Sequence, residues 1–345
     1  MATLEKLLKT YDYSLFPDRI AQEPASPRDS AKLLAYDRKT GSVTHDTFLN
    51  LAEHLPKNAV LVFNKTKVVP ARFSVIKETG GKATITYVQT HAPHLQVMAD
   101  RKLTTGSRLT LSRTLWFIVA RQEEKYYFLT PSFPLKKLFS VLERYGTMPI
   151  PPYIKHSPLS RAQLKEKYQT VFARTNGSVA APTASLHFTR RLLSRLKEHG
   201  MTTAYVTLHV GLGTFAPLTQ ENISRGTLHH EWYGIDSKTA SLLNKAKEKG
   251  RPIIAVGTTV VRTLESASDK NGRIARLSGS TNLFIRPGYR FKCINGLITN
   301  FHVPRSSLLM LVSAFAGHKK ILSLYQKAVA KKYRFFSFGD GMLIK

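Results

Sequence analysis

Residues 180–217 read AAPTASLHFTRRLLSRLKEHGMTTAYVTLHVGLGTFAP, and a change of period inside this stretch decides the fold class. From Phe188, helical spacing puts Phe188, Leu192, Leu193 and Leu196 on one face and five basic residues elsewhere, and Gly200 ends the helix. The period then falls to two. Ala204, Val206, Leu208 and Val210 face one way, while Tyr205, Thr207 and His209 face the other. A helix followed by a strand is an α/β unit, and here the strand runs out just after His209 into the glycine turn Gly211-Leu212-Gly213. Ligands of α/β folds gather at the carboxyl ends of strands, so this turn is where chemistry is expected.

The flanking sequence repeats the theme. PIIAVGTTVVRTLESA (252–267) reads as strand, tight turn and helix, and its wholly apolar IIAV suits a central parallel strand. Upstream, AVLVFN makes a strand ending at Asn64, followed by the polar NKTKVVPARF (64–73). A helix is expected over Lys238–Lys249 with Ser237 as its N-cap. Two or three strands are expected around FIRPGYRFKCINGLITNFH (284–302), then helices Ser307–Ala316 and Lys319–Lys331, and a last strand in FFSFG (335–339). Between Phe73 and about Thr130 the texture differs. Short alternating runs such as FSVIK, ATITYV and LWFIVA are separated by glycine turns, which suggests a small antiparallel barrel or sandwich. A helix at Leu135–Tyr145 returns the chain, and the prolines of GTMPIPPYI (146–154) forbid helix there. The chain therefore reads as a mixed α/β main domain, residues 1–72 and 146–345, with an inserted small antiparallel β-barrel domain at 73–145.

The 345 residues carry 52 Lys and Arg against 22 Asp and Glu, a net charge of +30. Residues 1–70 contribute +2, residues 71–150 +7, and the remainder +21. Such an excess reads as a surface for a polyanionic partner, or as the mark of a generally basic proteome. The single cysteine, Cys293, excludes an internal disulfide and a cysteine-cluster metal site, consistent with a reducing cytosol. MATLEKLLKT is interrupted by charge too early for a secretory leader, and the longest uncharged apolar run, Ser306–Gly317, is too short to span a bilayer. A cytoplasmic location follows as an expectation.

Four groups of residues offer chemistry. GLGTFA (211–216) matches a dinucleotide fingerprint formally, but Pro217 and the polar LTQENISRG cannot open the required helix, so a Rossmann cofactor site is excluded. The glycines still permit close backbone approach to a ligand. At GTTVVRTLES, helix-start amides with Thr258 or Thr259 form an anion seat. Arg262 and Glu265 share that helix face, either to hold a carboxylate or phosphate or as an ordinary surface ion pair. In TLHHEWYGI (227–235), strand alternation puts His229 and Glu231 on one side, as proton transfer near neutral pH requires. No third ligand stands at a suitable spacing, so no metal is expected. Asn64 and Thr66, at a strand end, suit either a polar ligand or an ordinary turn. The KKYRFF run (331–336) mixes cations with rings, as nucleic-acid surfaces do, or is a helix end entering a buried strand.

Taken together, NKTKVVPAR, GTMPIPPYI, YQTVFA, VAAPTASLHFT, VTLHVGLGTF, IAVGTTVVRTLES, LITNFHVPRSSLLMLVSAFAG and YRFFSFGDGML resemble the S-adenosylmethionine:tRNA ribosyltransferase-isomerase family of queuosine biosynthesis, nearly end to end. The resemblance implies an α/β main domain with an inserted β-barrel. It implies transfer of the ribosyl part of S-adenosylmethionine to 7-aminomethyl-7-deazaguanine in the tRNA anticodon, and rearrangement to epoxyqueuosine with release of adenine and methionine. S-adenosylmethionine is then a consumed substrate; no cofactor, membrane or obligate protein partner is expected. His209, His187, His229 and Glu231 become candidates for proton transfer. Gly211, Gly213, Thr214, Thr258, Thr259, Arg262, Glu265, Asn64, Thr66, Arg72, Asn300 and His302 become candidates for substrate binding. The chain departs from the family pattern in places, with Lys32 and Lys67 where arginine is usual and Ser185 in place of a glycine. Lysine keeps the charge but loses the planar fork of arginine.

A methyltransferase of the ordinary S-adenosylmethionine type would need a glycine-rich strand–helix turn that this chain lacks. A non-catalytic RNA-binding module accounts for the charge but not for the placing of the histidines.

Overall fold

In a computed structural model, which describes residues 4–211 and 217–345, the apolar strand Ile253–Val256 lies in the middle of a large mixed sheet. It pairs in parallel with Val60–Asn64 on one side and Gly296–Asn300 on the other. All four of its residues are buried, because both faces of the sheet are covered. Thr202–Leu208 extends the parallel set beyond Val60–Asn64, with Val206 opposite Asn64. Outside these four strands the sheet turns antiparallel at one edge through Thr227–Ile235 and Ser278–Leu283. At the other edge it continues through Gly341–Ile344, Lys32–Tyr36 and Val43–Thr47. After Val60–Asn64 the chain's next parallel strand in this sheet, Thr202–Leu208, lies on one side of it and the following parallel one, Ile253–Val256, on the other. The carboxyl ends of Val60–Asn64, Thr202–Leu208 and Ile253–Val256 therefore bracket a topological switch point, where open α/β sheets form their crevices.

Strand alternation divides the interior into two cores. Val60, Val62, Ala204, Val206 and Leu208 pack on one face with the helices Thr258–Ala267, Ser307–Ala316 and His318–Ala330. Leu61, Phe63, Ile254 and Val256 pack on the other with the helix Arg190–Glu198. That helix buries Leu192 and Leu196, with Phe188 fully buried just ahead of it. Thr189 caps it, accepting from the Leu192 amide while donating to the buried Asp29 carboxylate. No single described helix is long and apolar enough to cross a membrane. The pair Ser307–Ala316 and His318–Ala330 is bent by 109°.

The alternating segment after Val69 forms a closed six-stranded antiparallel barrel, with strands between Arg72 and Pro131. Its inward residues, among them Phe73, Ile85, Val97 and Phe117, make a separate core, which Leu138 and Leu142 of the helix Leu138–Tyr145 join. A short parallel pair, Thr66–Val68 with Thr175–Ser178, ties the exit of Val60–Asn64 to the segment preceding Ala180.

Three expectations are corrected. The N-cap of the helix Ser237–Glu248 is Asp236, whose carboxylate accepts from the Thr239 amide; Ser237 is the first helical residue. FIRPGYR is not a strand, and the preceding strand is Ser278–Leu283. FFSFG is irregular, and the last strand is Gly341–Ile344. Phe336 has φ of 70° and the Gly339 amide turns back to its carbonyl, so Phe335 and Phe336 enter one core and Phe338 another.

Candidate active site

The carboxyl ends of the parallel strands are laced together by Asn64. Its Oδ1 accepts from the amides of Thr66 and Leu208, each at 3.1 Å. Its Nδ2 donates to the Leu208 carbonyl at 3.0 Å and to Thr259 Oγ1 at 3.3 Å. The fully buried amide thus joins three strand ends and is satisfied within the protein. Its geometry is that of a brace rather than an open contact for substrate.

Two residues beyond that brace, Thr66 Oγ1 shares a 2.9 Å hydrogen bond with His209 Nδ1. His209 leaves its strand with its amide bonded to the Trp232 carbonyl at 3.0 Å, and its ring stacks on the indole of Trp232 at 5.2 Å and 24°. The ring also lies against Gly177, where a Cβ would approach it to 2.8 Å. Thr66, Gly177 and Trp232 together fix the orientation of the imidazole, and Nε2 has no hydrogen-bond partner among the described residues. Burial lowers the His209 pKa, so the ring is neutral at pH 7 and able to accept a proton.

Glu231, on the adjacent strand, and Arg262, on the helix Thr258–Ala267, form a buried ion pair. Glu231 Oε1 also accepts from the Gly211 amide at 2.8 Å. The Arg262 guanidinium reaches the carbonyls of Leu283 and Thr281 at 3.1 and 3.3 Å. A buried pair of this kind needs such extra bonds to offset its desolvation. Arg262, expected to hold a substrate anion, has its charge paired with Glu231 here, and Glu231 in turn holds the Gly211 amide at the start of the glycine loop. Glu265 is likewise engaged within the protein. Its carboxylate accepts from the amides of Lys292, Cys293 and Ile294 and from the Tyr289 hydroxyl, anchoring a loop behind the helix.

Two cavities flank the strand end at residues 208–211. One is a cleft of about 560 Å³ between the main sheet and the barrel, lined by His209, Gly211, His229, Glu231 and Trp232 together with barrel residues such as Tyr126. His229 there stands 3.5 Å from Lys125 Nζ, and burial, then that ammonium, lowers its pKa. The second cavity, of about 400 Å³, is lined by Thr258, Thr259, Thr183, Asn300, His302 and Pro304, among others. Asn300 Oδ1 accepts from Thr183 Oγ1 at 2.9 Å, and its Nδ2 donates to the Phe336 carbonyl and toward His187 Nε2. His302 Nε2 shares a 2.7 Å bond with Thr299 Oγ1, and burial lowers its pKa.

His187 lines neither cavity. It is buried behind Asn300 with its ring stacked 4.0 Å from Phe48, and burial holds its pKa down at about 3. Arg72 is exposed at the entrance to the barrel, its backbone paired with Thr147. Gly213 and Thr214 lie outside the described residues. Their neighbours Gly211 and Pro217 line the cleft and the cavity respectively. Among the described residues no group of three His, Cys, Asp or Glu is assembled for a metal.

Sequence reasoning missed Gly177 and Trp232. Trp232 was legible only as the outward neighbour of Glu231 and Tyr233 in an alternating strand. Gly177 carried no signal, because its role depends on a ring 32 positions away.

The family model described as queuosine biosynthesis protein matches residues 8–344. The chain is 48% identical over 343 residues to the S-adenosylmethionine:tRNA ribosyltransferase-isomerase of Carboxydothermus hydrogenoformans, spanning 98% of this chain and 99% of that protein. It is 45% identical over 349 residues to the protein of the same name from Moorella thermoacetica, with the same coverage. The crystal structure of S-adenosylmethionine tRNA ribosyltransferase from Thermotoga maritima is similar with a TM-score of 0.56 and 32% identity, over 97% of this chain and 100% of that one. With a match that runs from residue 8 to residue 344 and relatives at this identity, the chain belongs to the queuosine biosynthesis protein family.

Proposed function

We infer that this chain is an S-adenosylmethionine:tRNA ribosyltransferase-isomerase, the activity named for its full-length relatives. It transfers the ribosyl part of S-adenosylmethionine to 7-aminomethyl-7-deazaguanine in a tRNA anticodon and rearranges it to epoxyqueuosine, releasing adenine and methionine. S-adenosylmethionine is consumed, so no resident cofactor is required. The working location is cytoplasmic, with no membrane or obligate protein partner, and residues 73–145 act as an inserted domain.

The observation that carries this reading at the site is the position of His209. It stands at the carboxyl end of a parallel strand, neutral and held by Thr66, and lines the cleft, while the next residue, Val210, lines the cavity. A reaction that joins two substrates needs two adjoining sites with a proton carrier between them. The sulfonium acidifies the neighbouring ribose 5′ carbon, and His209 is suited to take that proton. The aminomethyl nitrogen of the base is the nucleophile, with His229 a second imidazole beside it in the cleft, and adenine leaves after protonation. The cavity at the Thr258–Thr259 helix start, with Asn300 and His302, receives S-adenosylmethionine. His187 and Glu231 act by positioning Asn300 and Gly211.

The test is incubation with S-adenosylmethionine and precursor-bearing tRNA, followed by mass analysis of the digested nucleosides and of the small products. Epoxyqueuosine with equal adenine and methionine supports the reading. A methylated nucleoside with S-adenosylhomocysteine, or no nucleoside change at all, would remove it.

A further inference from the structure

Trp232 is a large apolar side chain left 46% exposed on the outward side of its strand. Its indole has one neighbour ring, His209, and its benzo end rests over Gly234, where a Cβ would meet it at 2.7 Å. The ring is therefore held flat against the sheet by a histidine on one side and a glycine beneath, with indole surface open to the cleft. From the barrel side the same cleft receives Tyr126 and Phe139, the latter 38% exposed, and neither makes a ring contact with Trp232. Lys125 lies over the Tyr126 ring at 5.3 Å and near His229 at 3.5 Å, so a cation stands where barrel and sheet approach each other. Exposed rings interleaved with cations, in a chain of net charge +30, form the surface on which unpaired bases stack and phosphates are neutralised. The helix-start cavity is walled mainly by prolines, threonines and aliphatic side chains; its Phe301 and Phe336 are buried in the core, and its arginine, Arg305, is paired with Asp12.

We propose that the cleft between barrel and sheet receives the target purine of tRNA turned out of its loop, with Trp232 as the wall on which the base stacks beside His209. The proposal rests on the tRNA-modifying reading above and specifies which cavity takes which substrate. Phe139, on the helix that follows the barrel, faces the other surface of the base, and Lys125 meets the backbone. A flipped base placed there lies within reach of the His209 ring that Trp232 already touches. Extruding a base from a single-stranded loop is cheap compared with extruding it from a duplex.

The chain has two tryptophans, so replacing Trp116 by Phe leaves Trp232 as the only indole reporter. Precursor tRNA should quench its emission, tRNA abasic at the target position should bind without that quenching, and S-adenosylmethionine alone should leave it unchanged. Trp232→Ala should raise the KM for tRNA on the order of tenfold to a hundredfold with the KM for S-adenosylmethionine unchanged, and Trp232→Phe should recover most of the loss. Quenching by S-adenosylmethionine alone, equal quenching by the abasic tRNA, or an unaltered tRNA KM in the alanine variant would each overturn the proposal. Product formation by the unaltered enzyme is scored separately. A chain that binds and quenches but makes no epoxyqueuosine would fail the functional reading and leave the cleft assignment standing.

Discussion

The imidazole of His209 occupies space that only a glycine at position 177 leaves open, since a Cβ on Gly177 would stand 2.8 Å from both Cε1 and Nε2 of the ring. Gly177 also has φ of 142°, a conformation that side chains rarely adopt. Gly177→Ala should therefore push the ring off Thr66 and add strain of about 1–3 kcal/mol. Displacement of a reacting group by about 1 Å is worth roughly a hundredfold in rate. Steady-state kinetics should show kcat down by that order with tRNA affinity kept. Wild-type kcat in a folded variant would separate His209 from the chemistry.

His209→Asn should lower turnover by about a hundred- to ten-thousandfold, the usual worth of general acid–base catalysis, and leave tRNA binding intact. The direction of the His209 pKa also sets the pH profile. Burial lowers it, so the ring stays neutral to below pH 6.5, and kcat should fall only on the acid side of that value. An acid limb centred above pH 6.5 would contradict a buried, neutral base.

His187 gives a stability prediction with a defined sign. Its pKa is about 3 in the folded chain against about 6.5 when unfolded. Between these values the unfolded chain binds a proton that the folded one does not. The stabilisation is complete above pH 6.5 and is lost as pH falls toward 3. Denaturant midpoints should decline over that window, and His187→Phe, which keeps a ring against Phe48, should flatten the decline. An equal slope in the variant would mean that other groups carry it.

The Glu231–Arg262 pair should behave as a buried ion pair. Glu231→Gln leaves Arg262 uncompensated and should cost about 3–5 kcal/mol. Combining it with Arg262→Met should cost less than the sum of the single changes, and a double-mutant cycle measures the difference. Additive effects would show that the two side chains do not act as a unit.

The parts of this molecule that follow local rules were legible in its sequence. IIAVGTT reads as a buried strand and helix start because its apolar run and glycine punctuate each other, and the barrel declares itself through period-two runs between glycine turns. The irregular path of Phe335–Gly339 was hidden because three phenylalanines in a row of five look like a strand, whereas a left-handed Phe336 sends them into different cores. Asp236 was passed over as a cap because Ser237 is an equally good one by type. At the site, His229–Glu231 and Thr258–Glu265 read as two separate constellations. The sheet joins them, since the order that sets Arg262 against Glu231 is decided by strand pairing. Local patterns therefore named most of the residues at the strand ends but could not say which of them face one another, and so could not show that Arg262 meets Glu231 or that Glu265 meets the 289–294 loop.

The central claim is that a neutral His209, lining the cleft one residue before the wall of the second cavity, drives consumption of S-adenosylmethionine on tRNA. A single-turnover incubation with ribose-labelled S-adenosylmethionine and precursor tRNA, run with the unaltered chain and with His209→Asn, tests it most directly. The account predicts label in the tRNA with one adenine released per turnover, and a loss of both in the variant despite unchanged tRNA binding. Label transfer at equal rates in the two proteins, or label that stays with S-adenosylhomocysteine, would contradict it.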